Sequence, residues 1–374
     1  MLVIRLLFVL CLALLSVQSY AFARKPSSPV IIAYVFPKDQ SLSPDEIAAE
    51  KLSRINYAFA NIQNGEIVQG FAHDRENFQA LNALKQRNPK LQILISVGGW
   101  TWSGAFSDMA LTRESRRKFI DSAVSFIEAN NLDGIDIDWE YPGLVGAGNP
   151  FHPADKQNYT LFLKEMRKQL DGEAKKLGRP LFTSVATGAS PDFLAHTEMK
   201  KVARYVDTVN LMSYDYYEPT DDKTTGHHAP LFTNEADPKR VSADASVKNY
   251  LAAGVPSRKL VLGIPFYGHA WSDVADINHG LFQPAKKSDL DANYNQIVQT
   301  HLKNGFVRYW DETASAPYLY NAASRTFISY EDVQSIRLKC QYVLKHKLGG
   351  IMFWDYEGDS NGELLNAIDR SLGR

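Results

Sequence analysis

The sequence predicts an α/β protein, a (β/α)8 TIM barrel with a small α+β insertion between its seventh and eighth strands. Two observations carry this. Eight short apolar runs alternate with helical patterns, as a parallel sheet requires, and eight such units is the count at which the sheet closes on itself. One interval between runs is far too long for an ordinary connection. A doubly wound open sheet is the competing arrangement, but no glycine fingerprint follows the first run.

In chain order the strand-like runs are VIIAYVF (30–36), RINYAFA (54–60), QILISV (92–97), GIDIDW (134–139), LFTSVA (181–186), TVNLM (208–212), KLVLGIP (259–265) and GIMFW (350–354). Helical patterns occupy 44–51, 74–87, 112–130, 154–177, 195–205 and 246–253; a further one, 331–347, precedes the last run and another, 362–372, follows it. Roughly 85 residues separate the seventh run from the eighth, against about 4–6 in a usual connection. Inside that interval PYLYN (317–321) and TFISY (326–330) read as strands and 293–303 as a helical piece. Its aromatic content argues against a disordered loop. The insertion is therefore placed at 270–327, and the barrel at 24–269 and 328–374.

The first 23 residues stand apart. Arg5 is followed by LLFVLCLALLSV (6–17) and then by Ala21-Phe22-Ala23. A basic start, an apolar run and a small-residue ending predict a cleavable secretory signal, 1–23. The run falls short of the about 20 residues a spanning helix needs, so no membrane segment is expected in the mature chain. Cys11 would leave with the leader. Cys340, the other cysteine, then has no internal partner and reads as a buried helix residue.

The chain carries 41 Lys and Arg against 42 Asp and Glu. That balance offers no basic excess to neutralise phosphates, which excludes nucleic acid as the expected partner. A neutral substrate fits best, and the protein is expected to act as a secreted monomer, extracellular or periplasmic.

The sharpest local signal is DGIDIDWEYP, 133–142. Alternate residues of a strand share a face, so Asp136, Asp138 and Glu140 point one way and Ile135, Ile137 and Trp139 the other. In a barrel the acidic set faces the axis and its C-terminal mouth. Crowded carboxylates cannot all ionise, and one kept protonated near neutrality is a general acid. The same acids could instead hold Ca2+ or Mg2+, and chelation would then abolish activity. His227-His228 lacks a third ligand at a recognisable spacing and is discounted as a metal pair.

DGIDIDWE resembles the DxxDxDxE signature of the family 18 glycoside hydrolases. SVGG (96–99), NLMSYD (210–215) and GGIMFW (349–354) are similar to three further motifs of that family, in the same order and on three other strands. The resemblance spans essentially the whole mature chain and extends to the insertion of its deep-cleft bacterial chitinases. It implies a retaining chitinase without metal or cofactor, acting on chitin or chito-oligosaccharides through the substrate's own acetamido group. Glu140 is then the proton donor, Asp138 the carboxylate that orients the acetamido group, and Asp136 its proton-sharing neighbour. Tyr214 holds the acetamido oxygen, Asp215 contacts sugar near Glu140, Met212 packs under the acetyl methyl, and Trp354 floors the pocket. Tyr34 and Phe59 line the same pocket. Trp100 stacks on the leaving-group side, with Trp102 as a possible helper. Tyr216, Tyr217, Tyr267 and His269 are cleft candidates, and Ser96 is expected to bond the buried acids. The resemblance also implies cis peptides at Ala58-Phe59, Glu140-Tyr141 and Trp354-Asp355. Two other readings stand beside the chitinase: a non-catalytic chitin-binding lectin, which the presence of Glu140 disfavours, and an endo-acting hydrolase of N-glycans.

Overall fold

A computed structural model describes residues 28–373 of the chain. The expected leader, with Cys11, lies outside these residues. Eight strands pair in parallel: Val30–Val35, Arg54–Gln63, Gln92–Gly98, Gly134–Asp138, Phe182–Gly188, Thr208–Met212, Leu260–Pro265 and Gly350–Trp354. The first pairs with both the eighth and the second, so the sheet is a closed barrel. Among the described residues no helix is long and apolar enough to cross a membrane.

The fourth strand divides its faces as its alternation requires. Ile135 and Ile137 are fully buried in the main apolar core, and Trp139 stacks on Phe106 with ring centroids 5.3 Å apart. Asp136 points the other way, into the barrel. Two of the longer helices around the sheet are capped by their own sequence. Thr112 and Ser115 form a reciprocal capping box on Arg113–Ala129, and Asp332 and Ser335 do the same on Val333–His346. Cys340 is fully buried on the latter helix, and burial pushes its thiol up to about 12.

Three local expectations change. The second strand continues past residue 60 to Gln63 and turns through Asn64-Gly65, both at positive φ, into a short antiparallel strand, Glu66–Val68. An Asn-Gly pair between apolar residues is a hairpin signal, and here it overrides the expected end of the strand. The helix expected at 195–205 is two short pieces, Pro191–Ala195 and Met199–Val202. Ser190 caps the first with Pro191 in its first turn, and its C-terminal end is closed by Thr197, whose hydroxyl donates to the Phe193 carbonyl at 2.8 Å. Residues 44–51 form two 3-10 turns instead of one helix.

Between the seventh and eighth strands lies a five-stranded antiparallel sheet, in the order Lys286–Lys287, His269–Ser272, Thr326–Ser329, Ala316–Asn321 and Val307–Asp311. A helix, Tyr294–Gln299, sits in the same interval. The sheet has an apolar core of its own, built on Trp271, Val274, Leu281, Tyr318, Tyr320 and Phe327. Tyr217, expected in the cleft, is buried in this core and donates to Asp237.

A buried ion pair at the helix Val333–His346 also ties that helix to the loop after the sixth strand. Lys339, with no exposed surface, donates to Glu331 at 2.6 Å and to the Ala229 carbonyl at 2.7 Å. Ser335 donates to the other oxygen of Glu331 at 2.9 Å.

Candidate active site

The C-terminal ends of the barrel strands open into a cleft of about 1070 Å³. Its walls include Tyr34, Phe59, Trp100, Asp138, Glu140, Met212, Tyr214, Asp215, Tyr267 and Trp354. Asp136 lies beneath, fully buried, and is saturated with donors. It accepts from Tyr34 Oη at 3.0 Å, Ser96 Oγ at 2.8 Å, Ser184 Oγ at 2.5 Å and, more loosely, Asn210 Nδ2 at 3.4 Å. Strand register explains the assembly, since Ser96, Asp136 and Ser184 are direct neighbours across the third, fourth and fifth strands. Burial still raises the Asp136 carboxyl, with these hydrogen bonds opposing it.

Asp138 differs. Its Oδ1 is buried and has no hydrogen-bond partner among the described residues. Burial, then Glu140 and Asp136, push the Asp138 carboxyl well above the ordinary range. Glu140 is 9% exposed, at the mouth of the same strand. Burial raises its carboxyl. A hydrogen bond with Tyr141 works against the rise, Asp215 and Glu218 add to it, and the group is pushed up to about 8. Glu140 therefore holds a proton at neutral pH, as a general acid must.

The backbone under these acids is pinned. Gly99 N–H donates to the Asp138 carbonyl at 2.8 Å, and Ser103 Oγ donates to the same carbonyl at 3.1 Å while accepting from Glu140 N–H at 2.9 Å. Gly98 adopts φ +107, and a Cβ there would sit 2.3 Å from the Asp138 carbonyl oxygen. A Cβ on Gly99 would meet the Phe59 ring at 2.7 Å. Gly98 is thus required for the third strand to approach the acidic one, and Gly99 for the Phe59 ring to pack against it.

Asp215 has the opposite electrostatics to Glu140. Tyr267 Oη lies 2.7 Å from each of its oxygens, His269 Nε2 lies 2.8 Å from Oδ1, and His228 Nδ1 lies 3.6 Å from the same oxygen. Burial works to raise this carboxyl, but the two histidines outweigh it and hold it well below the usual range. His228 is itself fully buried, and burial pulls its imidazole down to about 4. An ionised acid and a protonated one thus share one cleft, a separation set by environment.

Aromatic side chains from many of the barrel strands and their loops line the cleft. Trp354 stacks on Phe59 at 5.4 Å and packs near Tyr34 and Phe36. Tyr214 has a sulfur as its hydroxyl contact, Met352 Sδ at 4.0 Å, and burial followed by Asp215 keeps the phenol protonated. Trp100 is 51% exposed and stands edge-on to Tyr141 at 6.3 Å. Trp102 lines the cleft against Phe71, while Tyr216 lines it with its hydroxyl tied to Ser242 and Ser246. The peptides Ala58-Phe59, Glu140-Tyr141 and Trp354-Asp355 are cis. His227 is bound to Asp311 at 3.1 Å, away from its neighbour's partners.

Several residues of the site escaped sequence reasoning. Ser184 and Asn210 sit on inward positions of predicted strands, so register alone could have found them. Tyr141 and Glu218 lie on loops and Ser103 opens a three-residue 3-10 turn, Ser103–Ala105, too short for a period to apply. Burial and then Asp215 push Glu218 up to about 7.

A closed β/α barrel with a protonated acid at its mouth and an aromatic-walled cleft has the architecture of a glycoside hydrolase. Residues 30–359 match the family profile described as Glycosyl hydrolases family 18, and the chain belongs to that family. It is 41% identical over 349 residues to Chitinase A1 of Niallia circulans, covering 83% of this chain and 49% of that one, so it spans about half of that relative's length. Among solved structures it is similar to a family 18 N-acetylglucosaminidase from Paenibacillus barengoltzii, with a TM-score of 0.85, 41% identity, and coverage of 92% of this chain and 99% of that one. It is also similar to a class V chitinase of Nicotiana tobaccum solved with NAG4, with a TM-score of 0.83, 30% identity, and coverage of 92% and 99%.

Proposed function

We propose that the protein hydrolyses β-1,4 bonds between N-acetylglucosamine units of chitin or chito-oligosaccharides, with retention at the anomeric carbon. The observation that carries this reading is a complementary pair of unused groups in one pocket. Among the described residues, Asp138 offers a buried acceptor without a donor, and Tyr214 a hydroxyl without an oxygen acceptor. An acetamido group supplies both partners, its N–H to Asp138 and its carbonyl oxygen to Tyr214.

The chemistry follows from that placement. Glu140 gives its proton to the glycosidic oxygen as the bond to the anomeric carbon breaks. The acetamido oxygen, aligned by Tyr214, attacks that carbon and forms an oxazolinium ion, whose charge Asp138 stabilises. Glu140, now ionised, takes a proton from water, which opens the ring from the same face. Trp354 packs against the apolar face of the distorted sugar. The fully bonded Asp136 fixes the strand below.

Discrimination between sugars tests the role of the substrate's amide. Tetra-N-acetylchitotetraose is expected to be cleaved at least about 10²-fold faster than cellotetraose at equal concentration, because a general acid alone supplies only part of the rate. Equal rates, read by chromatography of the products, would sink the substrate-assisted step.

A pH profile tests Glu140. Its acid form carries the first step, so kcat/KM is expected to be retained below its pKa and to fall as pH rises through about 8. Activity flat from pH 6 to about 10 would remove Glu140 from the role of acid.

The N-acetylglucosaminidase resemblance favours a second reading, release of single sugars from chain ends. Monosaccharide as the first product, instead of disaccharide or longer fragments, would select it. The leader expected at 1–23 supports export of the protein from the cell.

A further inference from the structure

The loop after the sixth strand separates the two adjacent histidines. His227 goes to Asp311, while His228 turns to the carboxylate of Asp215, beside His269. One ligating atom from each of Asp215, His228 and His269 falls within 4.8 Å of the other two. We propose that these three residues form a binding site for a zinc-like divalent cation, entered from the cleft.

Several observations support it. Two imidazoles and one carboxylate suit zinc and its late transition-metal neighbours, and suit Ca2+ or Mg2+ poorly. Asp215 Oδ1 lies 2.8 Å from His269 Nε2 and 3.6 Å from His228 Nδ1. Ligand atoms around one tetrahedral Zn2+ stand about 3.3–3.6 Å apart, so modest side-chain rotation suffices. His228 is an independent pointer. It is fully buried, its Nδ1 faces Asp215 Oδ1 at 3.6 Å, beyond hydrogen-bond reach, and its Nε2 has no hydrogen-bond partner among the described residues. A buried imidazole without partners is costly, and a metal ion satisfies the nitrogen that faces Asp215. Asp215 and His269 both line the cleft, which leaves the open coordination position toward solvent and substrate.

Binding at this site stands independently of the proposed hydrolase activity. Its consequence rests on that reading. A cation on Asp215 occupies a carboxylate of the sugar-binding cleft, so zinc becomes a reversible inhibitor.

Titration calorimetry of the chelator-stripped chain with Zn2+ alone tests the site. Wild type is expected to take up one tight equivalent. His228→Asn and His269→Gln, each checked for folding by circular dichroism, are expected to bind more than about 10-fold more weakly. If one variant fails to fold, the other carries the comparison, with tetrahedral Co2+ absorption of the wild type as a further readout. No tight equivalent in wild type, or unchanged affinity in the folded variants, overturns the proposal. Zinc uptake without loss of hydrolysis would uphold the site and count against the place of Asp215 in catalysis.

Discussion

Glu140→Gln is expected to lower kcat on chito-oligosaccharides by about 10²–10⁴-fold, with KM changed far less. Glutamine keeps the shape of the side chain and can still donate a hydrogen bond, but it cannot transfer a proton to the leaving oxygen or take one from water. Both halves of the reaction lose their catalyst. The variant should fold, because the backbone N–H of residue 140 is held by Ser103 whatever the side chain carries. It also removes a repulsive neighbour from Asp138, one cause of that group's raised pKa. Steady-state kinetics with a chromogenic chitobioside decide the matter. A loss of less than about tenfold would show that another group donates the proton.

Lys339→Met is expected to destabilise the protein by about 3–5 kcal/mol, because one half of a buried ion pair is left without the other. Glu331 and Lys339 are both at or near zero exposure, and their charged groups lie 2.6 Å apart. Burial raises the Glu331 carboxyl and lowers the Lys339 ammonium, and each partner's charge opposes the shift of the other. Methionine fills the space but leaves Glu331 and the Ala229 carbonyl short of a donor. Replacing both charges, as Glu331→Leu with Lys339→Met, should recover much of the loss, since an apolar pair of similar volume needs no compensation. Urea unfolding of the two variants measures the difference. A single-variant loss below about 1 kcal/mol would place the pair among weakly contributing surface bridges.

The barrel was legible because its strands are inside the protein. Buried parallel strands read as short runs rich in β-branched and aliphatic residues, and all eight runs lie within a residue or three of the observed strands. The fourth strand was legible at single-residue level, because a period of two assigns every side chain to a face. Errors fell where periodicity is silent. The hairpin at Asn64-Gly65 was written in turn chemistry, and the expected 195–205 helix was cut by capping at Ser190 and closure at Thr197. Tyr217 has the composition of a cleft residue, and a separate core claims it.

By itself, the sequence determined the closed sheet and the position of the acids on its inner face. These follow from local periods and backbone sterics, which neighbours in the chain suffice to set. Only the tertiary structure decided the protonation of the site. His228 and His269 lie on segments 41 residues apart by their numbering, yet both bear on Asp215 and hold it ionised. Glu140, buried within reach of that charge, is driven the other way. Burial and through-space charge depend on which distant segments share a cavity, and no spacing along the chain encodes that distance.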